Sequence, residues 1–183
     1  MDGPTLDPQR IVDVFASHEV DYLLVGGVGA QQYGATRQTL DIDFLASFQR
    51  DNLERLCRAL AALNARLRVE GISDREAIKL SQGVLAPEYF QRAEITTLMT
   101  DAGPLDVLHD IPARDGTRLT FEDLRGRGSD LNFGEVRVRV AALADIVASK
   151  EWANRPKDRE ALPELHALQS TSGGGHAPPS ELD

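Results

Sequence analysis

Two stretches decide the fold: Tyr22-Leu23-Leu24-Val25-Gly26-Gly27 and Leu40-Asp41-Ile42-Asp43-Phe44-Leu45. The first is a short apolar run that stops at two glycines, the pattern of a buried strand entering a tight turn. Val28 to Tyr33 then has the make-up of a short helix. In the second, Leu40 to Leu45 is predicted as a strand, and alternate side chains of a strand share a face. Asp41 and Asp43 are therefore expected to leave one face together, while Leu40, Ile42 and Phe44 enter the core.

Two carboxylates this close repel unless a cation sits between them. Hard oxygen donors suit Mg²⁺, which keeps waters and takes substrate phosphates as further ligands. The same spacing also describes two solvated acids on an exposed strand. Asp106, in Pro104-Leu105-Asp106-Val107-Leu108, is a lone acid between apolar neighbours. It joins the pair if its strand lies beside theirs, and is an edge-strand acid otherwise. Gly26-Gly27 allows a backbone to approach a phosphate closely, or marks a plain turn. Together these features suit phosphoryl or nucleotidyl transfer, which needs positioning and charge stabilisation more than covalent chemistry from the protein.

Outward from this core, Asp7 and Pro8 have the residue types that start a helix. Asn52 to Leu63 is amphipathic, with Leu53, Leu56, Leu60 and Leu63 on one side. A helix is expected over 74–81, irregular chain around Pro87, and a strand over 95–100. Thr120 is placed to cap a short helix ending at Leu124. Residues 130–133 and 135–140 flank Gly134 as a hairpin, and two helices, 142–153 and 156–168, close the fold. The expected organisation is one α/β (α+β) domain over 1–168, helical from about 142, followed by a disordered tail, 169–183, rich in Gly, Ser and Pro.

The chain has 183 residues, 42% of them apolar, which suits one soluble globular domain. It has no apolar run of the roughly 18 residues a membrane span needs. Its N-terminus lacks a basic start and an apolar stretch, so no secretory signal is expected. A single cysteine, Cys57, lies at helical spacing and reads as a buried thiol; a cytoplasmic protein without membrane partners fits. The formal net charge of -9 opposes non-specific nucleic-acid binding. Residues 114–159, however, carry ten Lys/Arg against eight Asp/Glu, leaving ten against 21 elsewhere. Within this part Arg125, Arg127, Arg137 and Arg139 point to an RNA acceptor or, equally, to a solvated hairpin face. His18 is expected at the surface, His109 beside the Asp106 strand. Trp152 lies two residues past Lys150, about 200° around a helix, and is expected to pack away from it.

Gly26-Gly27, then Asp41-x-Asp43 and the later strand acid Asp106, resemble the DNA polymerase β-type nucleotidyltransferase superfamily. Phe121-Glu122-Asp123-Leu124, residues 138–143, Asp145-Ile146-Val147-Ala148-Ser149-Lys150 and Arg155-Pro156-Lys157-Asp158 are similar to the AbiEii and MenT toxin group, over roughly residues 8–168. The resemblance implies the nucleotidyltransferase fold, a mixed central sheet flanked by helices. It implies that Asp41 and Asp43 bind Mg²⁺ and the NTP, with Asp106 as third metal ligand or base. It also implies that Lys150 contacts phosphate and that Asp158 orients Lys150 or the nucleotide. Plainer readings are a solvated lysine and a helix-start acid. Gly26, Gly27, Arg37 and Thr39 fall on the nucleotide side, and Arg37 reads equally as a loop arginine.

Members of the MenT group add nucleotides to the 3′ end of tRNA and so block translation. Some are silenced by a kinase-like antitoxin that phosphorylates a Ser or Thr two residues before the first acid, here Thr39. That makes the chain a possible phosphoprotein; Thr39 also reads as a hydroxyl bonding local backbone. Two further functions stand beside the tRNA reading. One is transfer to a protein hydroxyl or an antibiotic, the other a fold that has lost catalysis and binds a partner.

Overall fold

The computed structural model describes residues 4–83 and 85–172. Its strands are β1 (Tyr22–Val25), β2 (Ile42–Ala46), β3 (Arg66–Leu67), β4 (Ile95–Thr100), β5 (Gly103–Leu108), β6 (Asp110–Pro112), β7 (Arg118–Thr120), β8 (Ser129–Phe133) and β9 (Val136–Val140). Its helices are α1 (Pro8–Ser17), α2 (Gly26–Gln31), α3 (Arg50–Ala62), α4 (Asp74–Ser81), α5 (Pro87–Phe90), α6 (Phe121–Leu124), α7 (Leu143–Ala153) and α8 (Pro156–Ser172). Seven strands make one mixed sheet in the order β3-β4-β5-β2-β1-β9-β8, and β6 pairs with β7 apart from it.

The centre of the sheet follows from apolarity. Every residue of β1 is buried, as in a strand covered on both faces. It runs antiparallel to β2 and parallel to β9, and β2 runs parallel to β5. Phe15 of α1 packs against Phe44 with ring centroids 4.5 Å apart, and Tyr22 meets both rings edge-on. This lock holds α1 on the strand that carries Asp43. Local signals set the helix starts: the Asp7 side chain accepts the Arg10 N–H, and Ser73 and Thr120 form capping boxes with Glu76 and Asp123.

Four elements differ from the sequence expectation. Leu40 is 84% exposed, because β2 starts only at Ile42 and Leu40 belongs to the loop before it. Pro87 opens the short helix α5, where a missing N–H at the first turn costs nothing. The β6–β7 pair was not anticipated; three-residue strands are too short to show a period. Finally, α8 runs to Ser172, into the segment expected to be a tail; the rest of that segment lies outside the described residues.

The α7–α8 corner is sharp for a local reason. Asn154 ends α7 in the left-handed conformation (φ 47°), its N–H bonding the Lys150 carbonyl at 2.9 Å, and Pro156 restarts the chain as α8. Asn tolerates that conformation better than most residues. The reversal brings Asp158 back against Lys150.

Candidate active site

Asp43 and Asp106 lie directly opposite each other in the parallel β2–β5 pair. The strand period thus places both carboxylates on one face, and Asp41 stands just before β2 on the same side. Burial, followed by the charges of Asp41 and Asp106, pushes the Asp43 carboxyl up to about 6 despite Lys157 and Lys150 nearby. Asp106 is also raised, chiefly by burial and by Asp41, against the pull of Arg68 and Lys157. Among the described residues nothing hydrogen-bonds the Asp43 carboxylate. Asp106 accepts from Arg68 at 3.0 Å, and Asp41 accepts from the Thr39 hydroxyl at 3.0 Å.

The glycines have a specific task. Gly26 adopts φ +63°, and a Cβ there would overlap the Asp43 carboxylate; one on Gly27 would come within 2.7 Å of Thr39 Cβ. The groups these glycines admit are therefore the acid and the threonine themselves. α2 starts without a side-chain cap, which leaves its first N–H groups without a capping side-chain acceptor.

The opposite wall carries the cations. Lys150 Nζ lies 3.4 Å from Asp158 Oδ1, and Arg155 Nε donates to Asp158 Oδ2 at 2.6 Å. Burial raises the Asp158 carboxyl, but the Arg155 hydrogen bonds and charge, with Lys150, outweigh it and hold the group below its usual value. The Arg155 guanidinium is stabilised by Asp158 and, more weakly, by Asp43 and Asp41. Asp158 is fully buried, so it is the anchor that aims two cations at the acids.

Two cavities meet on this floor, one of about 290 Å³ and one of about 300 Å³, and both are lined by Gly26, Asp43, Asp106, Lys150 and Arg155. The second adds Gly27, Arg37, Thr39, Asp41 and Lys157. The first adds the β6–β7 pair and Trp152.

All nine residues singled out from sequence therefore line one or both cavities or, for Asp158, brace two residues that do. Arg37 is tied to Glu160 of α8 at 2.8 Å while it lines the second cavity. Arg68, Arg155 and Lys157 were not singled out: Arg68 reaches Asp106 from across the sheet, and the other two lay inside a motif from which only Asp158 was drawn. Trp152 departs from expectation, being half exposed and part of the first cavity's wall. Cys57 is half-buried rather than buried, and burial pushes its thiol up to about 11. His109 bonds Asp110 at 3.0 Å and packs edge-on against Phe48.

Arg137 and Arg139 share a face, as alternation requires, but they do not form a free basic surface. Arg139 pairs with Asp130, Arg125 with Glu122 and Arg127 with Asp145, at 3.1 to 3.3 Å. None of the four lines either cavity over the acids.

Asp41, Asp43 and Asp106 offer the hard oxygen donors that a divalent cation takes. Among the described residues no three acidic, His or Cys side chains form a ready cage; Thr39 and Arg68 hold two of the acids. The unpartnered, mutually repelling Asp43 still fits a cation. No described helix is long and apolar enough to cross a membrane.

A mixed sheet with acids on and beside neighbouring strands, facing cations at a helix–helix corner, defines the fold class of nucleotidyltransferases. The lincosamide antibiotic adenylyltransferase LnuA, solved with lincomycin bound, is similar over 90% of this chain and 99% of its own, at 15% identity and a TM-score of 0.55. ANT(2″)-Ia, solved in complex with adenylyl-2″-tobramycin, is similar over 92% of this chain and 95% of its own, at 14% identity and a TM-score of 0.53. Residues 13–162 match the family described as nucleotidyl transferase AbiEii toxin, type IV TA system, and the chain belongs to that family. It is a nucleotidyltransferase of a toxin family whose members have antitoxin partners. No curated protein sequence matches it.

Proposed function

We propose that the chain transfers a nucleoside monophosphate from an NTP to the 3′ end of an RNA, tRNA first among them, the α–β phosphoanhydride breaking and pyrophosphate leaving as the new phosphodiester forms, and so acts as a translation-blocking toxin. The observation that carries this reading is the pair of cavities sharing one acidic floor. Transfer needs a donor phosphate and an acceptor hydroxyl to meet in line over charge-stabilising groups. The cavity lined by Arg37, Lys157 and Gly27 suits the triphosphate, with Lys150 and Arg155 reaching it from the wall opposite the acids.

Asp41, Asp43 and Asp106 would hold Mg²⁺, which when bound stabilises charge on the attacking and leaving oxygens. The chain's own groups do the rest. Lys150 and Arg155, braced by Asp158, orient phosphate oxygens and balance their charge. Asp106, the third acid, would serve either as a further metal ligand or as the base that takes the proton of the attacking hydroxyl.

Thr39 is the proposed control point, as the target of a kinase-like antitoxin. Its hydroxyl lies 3.0 Å from Asp41 Oδ1, so a phosphate there adds about -1.5 to -2 charges against the acids and repels the triphosphate. Mass spectrometry of protein co-expressed with its antitoxin should find the phosphate on Thr39; an unmodified Thr39 under full silencing sinks this point.

The decisive assay supplies Mg²⁺, each labelled NTP in turn and total tRNA. Label should reach tRNA with wild type, and disappear with Asp41→Ala or after EDTA. The second reading is a small-molecule or protein acceptor. It is favoured by the likeness to enzymes solved with lincomycin and adenylyl-tobramycin and by the internal pairing of the surface arginines. Label on lincomycin, tobramycin or protein, with none on RNA, would establish it. No transfer to any acceptor would leave a binding module.

A further inference from the structure

The cavity between α7 and the β6–β7 pair is built differently from its neighbour. Its floor is shared, but its outer wall is apolar and aromatic: Ile95, Leu108, Ile111, Pro112 and Trp152. Trp152 is half exposed, and its indole N–H has no hydrogen-bond partner among the described residues. One side of the ring lies over Gly116, where a Cβ would overlap it. The Gly116 turn is closed by Ala113 and Thr117, whose backbones bond at 2.8 Å, and Arg114 in the same turn pairs with Glu151 of α7. The ring is thus held from behind on a fixed support and left open in front.

The helix explains how Trp152 reaches this cavity. At 100° per residue, Ile146, Ser149 and Ala153 share one face of α7; Trp152 and Lys150 flank it on opposite sides, about 160° apart. A ligand lying along that face meets the ring at one edge and the ammonium at the other.

The polar groups of the outer wall do not favour a polycationic ligand. Asp110, the carboxylate beside the apolar wall, is already satisfied by Arg118 at 2.5 Å and His109 at 3.0 Å. No free acid is left on that wall to receive the amines of a polycationic antibiotic. A rigid, open indole with apolar neighbours instead matches a flat heterocycle, and stacking on an aromatic ring is how single-stranded bases are held without sequence readout.

We propose that this cavity is the acceptor chamber and that Trp152 is the platform on which the acceptor's terminal nucleobase stacks, so that the neighbouring hydroxyl faces Asp43 and Asp106. This rests on the nucleotidyl-transfer reading with an RNA acceptor. The second cavity, with Lys157 and Arg37, is left for the triphosphate.

The chain has one tryptophan, so its emission reports this ring alone. A short single-stranded oligoribonucleotide with a free 3′ end, added to the full chain without NTP, should quench that emission saturably. NTP with Mg²⁺ alone should leave it unchanged. Trp152→Ala should raise the KM for RNA about ten-fold, the scale of one lost stack. The KM for NTP should stay within about two-fold, and Trp152→Phe should recover most of the loss. Quenching by NTP but not by RNA, or a raised KM for NTP only, overturns the assignment. Labelling of RNA by wild type with unchanged emission and an unaffected Trp152→Ala overturns it too, and leaves the transfer reading standing. Quenching by the oligoribonucleotide with no labelling of any RNA overturns the RNA-transfer reading and, with it, the acceptor chamber.

Discussion

The acids and the cations of the site are held by different means. Asp43 and Asp106 are placed by strand register, in a ladder where their chain neighbours Ile42, Phe44, Leu105 and Val107 are buried. Lys150 and Arg155 are placed by one buried carboxylate, Asp158, behind a corner that depends on Asn154 and Pro156. The sheet therefore tolerates loss of an acid without losing shape, and its acids are strained in charge rather than in geometry. The helical wall is the reverse: its charges are satisfied, and its geometry hangs on a single residue. Damage to the first should cost catalysis, and damage to the second should cost both catalysis and stability.

The largest effect should come from Asp43→Asn. Removing the unpartnered carboxylate should lower transfer on the order of 10³-fold, the scale of a lost charge-stabilising group, measured by labelled NMP incorporation. The melting temperature of the metal-free protein should hold or rise, because a buried repulsion is relieved; a clear fall would break the contrast between sheet and helices.

Gly26→Ala comes next. The added Cβ meets the Asp43 carboxylate, and the residue must keep φ +63°. A loss of about 1–2 kcal/mol is expected for a non-glycine residue there, together with about a hundred-fold loss of transfer as Asp43 is displaced. Unchanged kinetics would mean that Asp43 can move freely without cost.

Asp158→Asn should weaken transfer about ten-fold and lower stability by about 1–3 kcal/mol, the range for breaking a buried charge-assisted bond. The pH dependence has a definite sign. The folded carboxyl lies below its ordinary value, so its contribution is fully present above the unfolded value near 4 and disappears as the pH falls through the lower folded one. Denaturation of wild type and variant should therefore converge in acid; a constant gap down to about pH 2 would deny the linkage.

The smallest effect is expected at Arg139→Ala. The residue pairs with Asp130, away from both cavities. Transfer to tRNA should change by less than about two-fold, as for most exposed pairs. A ten-fold loss, with a flatter salt dependence, would restore the hairpin as an RNA surface.

Much of the sheet was legible because period two is a local signal. Four consecutive apolar residues marked β1, and Asp41-x-Asp43 marked a shared face. Asp106 needed a pairing partner that only the fold supplies, yet its apolar neighbours identified the strand. Residues recruited across the chain carried no such signal: Arg68 meets Asp106 from 38 positions away. Leu40 was misplaced because hydrophobicity alone does not say where a strand starts. Trp152 was misplaced because angular distance from Lys150 says nothing about the face between them, nor about a hairpin of two three-residue strands that props up the ring.

The shared floor has a consequence for product. If each chamber holds what is proposed, the new phosphodiester forms across the floor, leaving the added nucleotide where the donor lay and the former end against Trp152. The enzyme then holds its own product in the donor's place. A second addition requires the RNA to advance by one nucleotide and seat its new end on the indole. The number of residues added per encounter, one or several, becomes a measure of how readily a strand threads between two small rooms with a common threshold.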